Sequence, residues 1–252
     1  MNFKDAMAKA AEDYGFTLTL EQLSAFETYF CLLIEWNEKI NLTAITEPEA
    51  VAVKHMIDSL SCYREDVFPA GAKIIDVGTG AGFPGLPLKI FQPQLILTLL
   101  DSLNKRVRFL ECTTEKLALK GVCCVHARAE EGARMKVYRE NFDAAVSRAV
   151  ARLPILCEYC LPFVKKGGYF VALKGMQYND EIREAEKAIR MLGAVIDEVR
   201  PIKLPGLDDI RAVIYIRKTG TTPAVYPRKA GIPEKNPLGI CVKKDFAEAK
   251  TK

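Results

Sequence analysis

The sequence of 252 residues is 49% hydrophobic and 27% charged, which gives it enough apolar mass for one full-sized core and a small appendage. No segment approaches the ~20 consecutive apolar residues of a membrane-spanning helix, and the first residues lack the apolar core of a signal peptide, so we expect a cytoplasmic protein without a membrane partner. The eight cysteines are scattered along the chain, which argues against a small disulfide-rich secreted domain.

The first 70 residues predict an N-terminal helical module. Pro48 suits the first turn of one of its helices, which we expect to continue until Pro69-Ala70-Gly71 breaks it. The helix before it shows apolar residues at spacings of three and four: Leu20, Leu23, Phe26, Phe30, Leu33 and Ile34.

From Lys73 onward, short apolar segments alternate with helical ones, a rhythm that is typical of a doubly wound α/β sheet. Two further strands are joined by a loop too short for a crossover helix, so the last strand should be antiparallel. We therefore predict a domain over residues 71–218 with seven strands near residues 74–77, 95–100, 122–125, 142–146, 169–173, 194–200 and 212–217.

A C-terminal extension over residues 219–252 carries an excess of positive over negative charge. The net charge of the chain is +4, and residues 217–252 contain nine lysines or arginines but only three acidic residues. A basic tail on a balanced domain indicates contact with a polyanion such as RNA, although solubility alone would also explain it.

A glycine-rich loop, residues 76–82, lies where the first strand ends and the next helix begins. Its glycines permit a tight turn and close approach of a small ligand to the backbone. From Gly80 the loop also fits the dinucleotide fingerprint G-x-G-x-x-G, which alone is a weak signal. Pro84 stands where a pyrophosphate would need free helix amides. Together with the antiparallel last strand, this favours a Rossmann-like class I methyltransferase that binds S-adenosylmethionine.

Acidic residues follow the strands that surround the loop. Asp76 is expected to orient the loop or to lie near the methionyl ammonium of the cofactor, and capping of loop amides alone would also explain it. Asp101 ends the second strand, where such folds place an acid for ribose hydroxyls, or it caps the next helix. After the third strand, Ala129 and Glu130 are positioned to bracket the edge of an adenine.

Two cations, Arg148 and Lys174, end the fourth and fifth strands, which suggests phosphate or carboxylate contacts, although strand ends are often charged without a function.

His55 is expected to be a packed or capped residue without a catalytic role. Cys157 and Cys160 have the spacing of a redox pair but lie in an apolar helix, so packing is expected. Hydrolase and P-loop motifs are absent, and no set of ligands indicates a metal.

The sequence resembles the small-subunit ribosomal RNA methyltransferase G family, also called glucose-inhibited division protein B, over nearly its whole length. The segment at residues 226–231 looks like the form of the family with an extended C-terminus. The resemblance depends on the motifs at residues 35–43, 54–60, 76–85, 100–106, 147–149 and 172–175.

The resemblance implies methyl transfer from S-adenosylmethionine to N7 of a guanine in 16S ribosomal RNA, at the guanine 527-type position. It further implies cofactor contacts at Gly78, Phe83, Ala129, Glu130 and Arg148. The partner would be this RNA or the small ribosomal subunit, with no role for DNA. Guanine N7 carries an in-plane lone pair and loses no proton, so we expect no catalytic base and catalysis by positioning.

RNA contacts are expected at Arg148 and Lys174 in the crevice, and at Arg228 and Lys229 in the extension, where their charges would anchor phosphates. Two other interpretations remain open at this point. One is an NAD-dependent oxidoreductase that uses the same glycine loop. The other is a non-catalytic RNA-binding or assembly factor that keeps the fold for structure alone.

Overall fold

The computed structural model describes residues 1–240 and contains one seven-stranded sheet with the strand order β3-β2-β1-β4-β5-β7-β6. Strands β1 to β5 pair in parallel, and β7 runs antiparallel to both β5 and β6. The predicted class I methyltransferase sheet with its antiparallel last strand is confirmed. The strands are β1 (Lys73–Val77), β2 (Ile96–Asp101), β3 (Val122–His126), β4 (Phe142–Arg148), β5 (Val164–Lys174), β6 (Ala194–Lys203) and β7 (Ile210–Lys218).

Helices precede the sheet and connect its strands. None of them, within residues 1–240, is long and apolar enough to cross a membrane. Before the sheet lie α1 (Phe3–Tyr14), α2 (Leu20–Ile40), α3 (Pro48–Val51), a π-helical segment (Ala52–Ile57) and α4 (Asp58–Leu60). The later helices are α5 (Gly85–Phe91), α6 (Asn104–Lys116), α7 (Ala129–Gly132), α8 (Leu153–Cys160), α9 (Tyr178–Met191) and α10 (Ile232–Lys235).

The helix predicted to run from Pro48 to Pro69 ends earlier, at Leu60. The hydroxyl of Ser59 donates to the carbonyl of His55, and the hydroxyl of Ser61 donates to the backbone carbonyl of Asp58 at 2.6 Å. Such side-chain bonds to the preceding turn compete with the helical ladder. The six-residue π-helix in the same stretch is a local widening that often marks a functional site.

Each face of the sheet packs against its own apolar cluster. Adjacent strand residues alternate between the two, so that Ile74 belongs to one cluster and Ile75 to the other. The first cluster joins the strands to α1, α2, α5 and α6, and the second joins them to α8 and α9. The N-terminal helices therefore share one continuous core with the sheet.

The C-terminal extension folds back onto the domain over residues 219–240. Arg139 donates to the carbonyls of Thr222 and Tyr226, both at 2.9 Å. Lys218, whose side chain is fully buried, donates to the hydroxyl of Thr222 at 2.7 Å. These bonds attach the extension where it leaves β7; its last part, residues 241–252, lies outside the described residues.

Helix α2 reaches the glycine loop directly through Tyr29. This side chain is fully buried, its hydroxyl donates to the carbonyl of Ala81, and its ring centroid lies 5.6 Å from that of Phe83. The N-terminal helices thereby provide one of the loop's hydrogen bonds in addition to packing.

Tyr29→Phe should lower the free energy of unfolding by about 1–2 kcal/mol, because the ring packing is kept while the carbonyl of Ala81 loses its buried donor. Urea unfolding measures the difference. Tyr169→Phe is the matched control, since the hydroxyl of Tyr169 makes only a 3.5 Å contact with Asp197 at the surface. Equal losses in the two variants would contradict a specific role for the Tyr29 hydroxyl.

Candidate cofactor and substrate site

The glycine loop follows β1 and contains two positions that accept no side chain. Gly78 has φ 71°, and a Cβ there would lie 2.7 Å from Cγ2 of Val150. Gly82 has φ 100°, and a Cβ there would lie 2.5 Å from Leu86 and 2.8 Å from the hydroxyl of Tyr29. Both the backbone conformation and the close neighbours therefore require glycine.

Asp76 holds the glycine loop through hydrogen bonds. Its Oδ2 accepts hydrogen bonds from the Thr79 hydroxyl at 2.7 Å and from the Gly85 amide at 2.8 Å. The carboxyl is fully buried, and its Oδ1 has no partner among the described residues. Burial raises the pKa of Asp76 to about 7, in spite of these two hydrogen bonds. Asp76 lines neither of the two cavities described below, so its hydrogen bonds shape the loop from within the protein.

Asp101 is bonded to the protein at both oxygens. Its Oδ2 accepts from the amide of Gly80 and its Oδ1 from the amide of Leu103, both at 2.9 Å. The side chain is only 2% exposed, and Leu103 rather than Asp101 is the N-cap of α6. Asp101 thus ties the glycine loop to the end of β2. The next residue, Ser102, faces the neighbouring cavity.

A cavity of about 120 Å³ opens at the ends of β1, β2 and β3. It brings together three of the predicted site residues, Gly78, Ala129 and Glu130. The cavity also contains Ser102, Tyr159 and Glu234, which were not predicted as site residues. Tyr159 and Glu234 do not follow strands, so no sequence signal places them there. The remaining lining residues are Val77, Leu100, Ala127, Arg128 and Val150.

A second cavity, of about 450 Å³, lies at the ends of β4, β5 and β7. Arg148 and Lys174, both predicted site residues, line it. Two further cations in its wall, Lys54 and Arg211, were not predicted as site residues, although Lys54 lies inside a motif of the resemblance. The other lining residues are Ile45, His55, Asp58, Ala149, Leu173, Gly175, Met176, Ile202, Asp209 and Ala212.

Arg148 connects the sheet to the π-helical segment. Its Nη1 donates to Oδ2 of Asp58 at 2.7 Å and to the carbonyl of Lys54 at 3.0 Å. Its guanidinium carbon lies 4.7 Å from the centroid of the Phe83 ring, a cation–π distance. The two predicted residues Phe83 and Arg148 therefore meet, but at the boundary of the larger cavity, away from Glu130.

His55, which we expected to be a packed or capped residue without a catalytic role, contacts both Phe83 and Arg148. Its ring stacks on Phe83 with centroids 4.7 Å apart, its Nε2 lies 2.7 Å from the Thr43 hydroxyl, and its Nδ1 lies 3.3 Å from Nη2 of Arg148. Nδ1 also lies 3.2 Å from the carbonyl of Lys54, so it accepts from Arg148 in one tautomer and donates to that carbonyl in the other. Burial, and then the charge of Arg148, lower the pKa of His55 to about 4. The imidazole is therefore neutral near pH 7.

The remaining predicted cations differ in their surroundings. Lys174 donates to Glu181 at 2.7 Å and to a backbone carbonyl at 2.9 Å, and its side chain is 8% exposed. Arg228 forms an ion pair with Glu158 at 2.6 Å on the far side of the smaller cavity. Lys229 is exposed at the surface. The structure therefore does not bring Arg228 and Lys229 into the crevice that holds Arg148.

The two cavities adjoin at the topological switch point of the sheet, where β1 lies between β2 and β4. Arg148 and Ala149 line the larger cavity, and Val150, which covers Gly78, lines the smaller one. The space beside the Cα of Gly80 is open, since a Cβ there would have no neighbour within 4 Å. These features fit a nucleoside ligand that enters across the glycine loop and points toward Arg148.

Comparison with known proteins places the chain in one family. The model of the family described as "rRNA small subunit methyltransferase G" matches residues 22–205. The ribosomal RNA small subunit methyltransferase G of Desulforamulus reducens is 50% identical, covering 92% of this chain and 97% of the relative. That of Clostridium botulinum is 49% identical, covering 94% of this chain and 100% of the relative.

Among solved structures, TYW2 from M. jannaschii, in complex with AdoMet, superposes with a TM-score of 0.54. The alignment covers 72% of this chain and 80% of that one, at 14% sequence identity. At this identity the likeness concerns the fold.

The neutral His55 should make stability depend on pH. Between about pH 4 and pH 6.5 the unfolded chain binds a proton at His55 that the folded protein does not bind. The contribution of His55 to the free energy of unfolding therefore falls as the pH falls through that window. The difference in unfolding free energy between wild type and His55→Gln should shrink by up to roughly 3 kcal/mol between pH 7 and pH 4.

Urea unfolding at a series of pH values tests this expectation. His126→Gln is the control, because His126 is exposed and its ring contacts only the carbonyl of Ser102, at 3.1 Å. A pH-independent difference for His55→Gln would show that His55 is as easily protonated in the folded protein as in the unfolded chain.

Proposed function

Because the chain belongs to the rRNA small subunit methyltransferase G family, we propose that it transfers a methyl group to N7 of a guanine in 16S ribosomal RNA, at the guanine 527-type position. It is an S-adenosylmethionine-dependent methyltransferase of ribosomal RNA. Its substrate is the RNA itself or the small ribosomal subunit, and the enzyme acts in the cytoplasm.

The observation that supports this proposal best is the pair of adjoining cavities. The smaller one is lined by Gly78, Ala129 and Glu130, at the strand ends where a nucleoside is expected. The larger one is basic, through Arg148 and Arg211 among others, and its size lies within the range of roughly 300–1,000 Å³ that is usual for ligand sites. A nucleoside donor and an RNA base would thus lie on opposite sides of residues 148–150.

The residues of the smaller cavity fit S-adenosylmethionine. Glu130 offers a carboxylate to the exocyclic amine of the adenine, and Ser102 offers a hydroxyl near the end of β2, where a ribose is expected. Asp76 lines neither cavity, and we assign it the role of holding the glycine loop through Thr79 and Gly85. The bound cofactor supplies a methyl group on a positively charged sulfur.

Protein residues position the guanine without taking a proton from it. The N7 lone pair attacks directly, so a hydrogen-bond donor on N7 would block the reaction, and we assign the cations of the larger cavity to O6 or to phosphates. His55 is neutral and already bonded to Arg148, which agrees with the absence of a proton-transfer step. Phe83 packs against both the His55 ring and the Arg148 guanidinium, which helps to fix the position of Arg148.

The target guanine should be unstacked, because the larger cavity admits a single base and A-form RNA does not expose N7 in its deep major groove. Lys54 lines the larger cavity and Lys229 is exposed on the extension, and we assign to both of them contacts with phosphates of the flanking RNA.

Loss of the gene should remove one 7-methylguanosine from small-subunit RNA, and the purified protein should restore it with S-adenosylmethionine as the donor. Mass spectrometry of digested 16S RNA measures both results. An unchanged methylguanosine content would instead support the non-catalytic assembly factor. Binding of NAD without binding of S-adenosylmethionine would support the oxidoreductase.

Arg148→Lys should lower kcat for RNA methylation by roughly 100-fold, because an ammonium cannot bond Asp58 and Lys54 and also cover Phe83. The assay is transfer of radioactive methyl from S-adenosylmethionine to 16S RNA or small subunits. Arg152→Lys is the control, since Arg152 pairs with Glu184 at the exposed surface. Equal kcat for Arg148→Lys and wild type would remove Arg148 from the positioning machinery.

A further inference from the structure

We propose that residues 226–236 of the C-terminal extension belong to the cofactor site, where they hold the carboxylate of Glu130 in position for the amino group of adenine. The match to the family model ends at residue 205, so the proposed element lies outside the matched segment. The inference rests on the proposed function to the extent that the smaller cavity is taken to bind the adenosine moiety.

The extension is fixed beside this cavity by a buried ion pair. Glu158 of α8 has no exposed surface, and its Oε1 accepts from the amide and Nε of Arg228 at 2.7 and 2.9 Å. Its Oε2 accepts from Nη2 of Arg228 at 2.6 Å, and the same nitrogen donates to the carbonyl of Asn236 at 2.7 Å. One guanidinium therefore holds both ends of the segment that contains α10 against α8.

Two contacts lead from this segment into the cavity. The amide of Gly231 donates to Oε1 of Glu130 at 3.1 Å, and the hydroxyl of Tyr159 donates to Oε1 of Glu234 at 3.2 Å. Glu130 and Tyr159 are 5% and 6% exposed, so both are held in a mostly desolvated wall. Burial, with the charges of Glu130 and Glu234, raises the pKa of Tyr159, which agrees with its place between the two carboxylates.

The bond from Gly231 has a consequence for ligand binding. It engages one carboxylate oxygen of Glu130 and restricts the rotation of a side chain that has three rotatable bonds. A carboxylate fixed before the ligand arrives loses less entropy on binding than a free one, an effect of about tenfold in affinity. Because a carboxylate only accepts, it recognises the adenine amine but not the carbonyl that replaces it in hypoxanthine.

Neighbouring residues Arg228 and Lys229 therefore have different roles. Arg228 is bonded to Glu158 and Asn236, with 19% of its side chain exposed, and acts on the cofactor site through the segment it holds. Lys229 is exposed. Removing either charge alters the net charge of the protein equally, so the two form a matched pair for experiment.

The test compares Arg228→Gln with Lys229→Gln by calorimetric titration with S-adenosylhomocysteine and S-inosylhomocysteine. Wild type should prefer the adenine compound. Arg228→Gln should weaken binding of S-adenosylhomocysteine about tenfold and reduce that preference, while Lys229→Gln should leave both unchanged. Circular dichroism and thermal melting establish that each variant is folded.

A second variant covers the case in which Arg228→Gln does not fold because Glu158 is left buried and unpaired. The double substitution Glu158→Gln with Arg228→Met leaves no unpaired buried charge and still removes the guanidinium, so the same loss of affinity and preference is expected.

Two results would overturn the inference. Unchanged affinity in folded variants that lack Arg228 would show that the extension only packs on the domain. An equal loss for both ligands would show that the extension covers the cavity without acting through Glu130. Failure of wild type to bind S-adenosylhomocysteine would instead overturn the proposed function, which makes the two failures distinguishable.

Discussion

The ion pair between Arg148 and Asp58 is the contact on which the site depends. It joins the end of β4 to the last turn before the sheet, over 2.7 Å and with both side chains largely buried. Removing Asp58 would leave the largely buried guanidinium of Arg148 without its carboxylate, so the pair helps to fix how the N-terminal helices lie against the crevice. The π-helical segment directs the carbonyl of Lys54 toward the same guanidinium. Phe83 and His55 pack against Arg148, and these contacts link the glycine loop to the larger cavity.

The parts of this protein that could be predicted from sequence are those encoded locally. The apolar strands, the hairpin that ends the sheet and the glycine loop all follow from short patterns, and the ends of parallel strands meet by topology. The role of His55 could not be predicted, because its partners Phe83 and Arg148 are distant in sequence. The same holds for Tyr159 and Glu234, which line the smaller cavity through packing of the extension. A charged residue such as Arg228 has no sequence signal that separates a buried ion pair from a phosphate contact.

The cations of the larger cavity are paired with acidic residues of the protein, and this pairing affects catalysis. Arg148 is bonded to Asp58, Arg211 lies 3.3 Å from the same carboxylate, and Lys174 is bonded to Glu181. These contacts reduce the free positive charge in the larger cavity and leave less for general attraction of RNA. They also hold the donors in place before a base arrives, and a methyl transfer without proton transfer gains most from such fixed geometry. The crevice is therefore better suited to orient one base than to bind a long stretch of backbone.

Two segments outside the sheet bond the proposed cofactor site. Tyr29 of α2 bonds the carbonyl of Ala81 in the glycine loop, and Gly231 of the extension bonds Glu130 of α7. The sheet supplies the strand ends and the glycine loop. The carbonyl of Ala81 and the carboxylate of Glu130, however, accept hydrogen bonds from segments that lie outside the sheet. These hydrogen bonds cost little additional conformational entropy, because burial of Tyr29 and the Arg228–Glu158 ion pair already hold the two segments in place. The geometry of the cofactor site is thus a property of the whole folded chain, and changes far from any strand end can alter it.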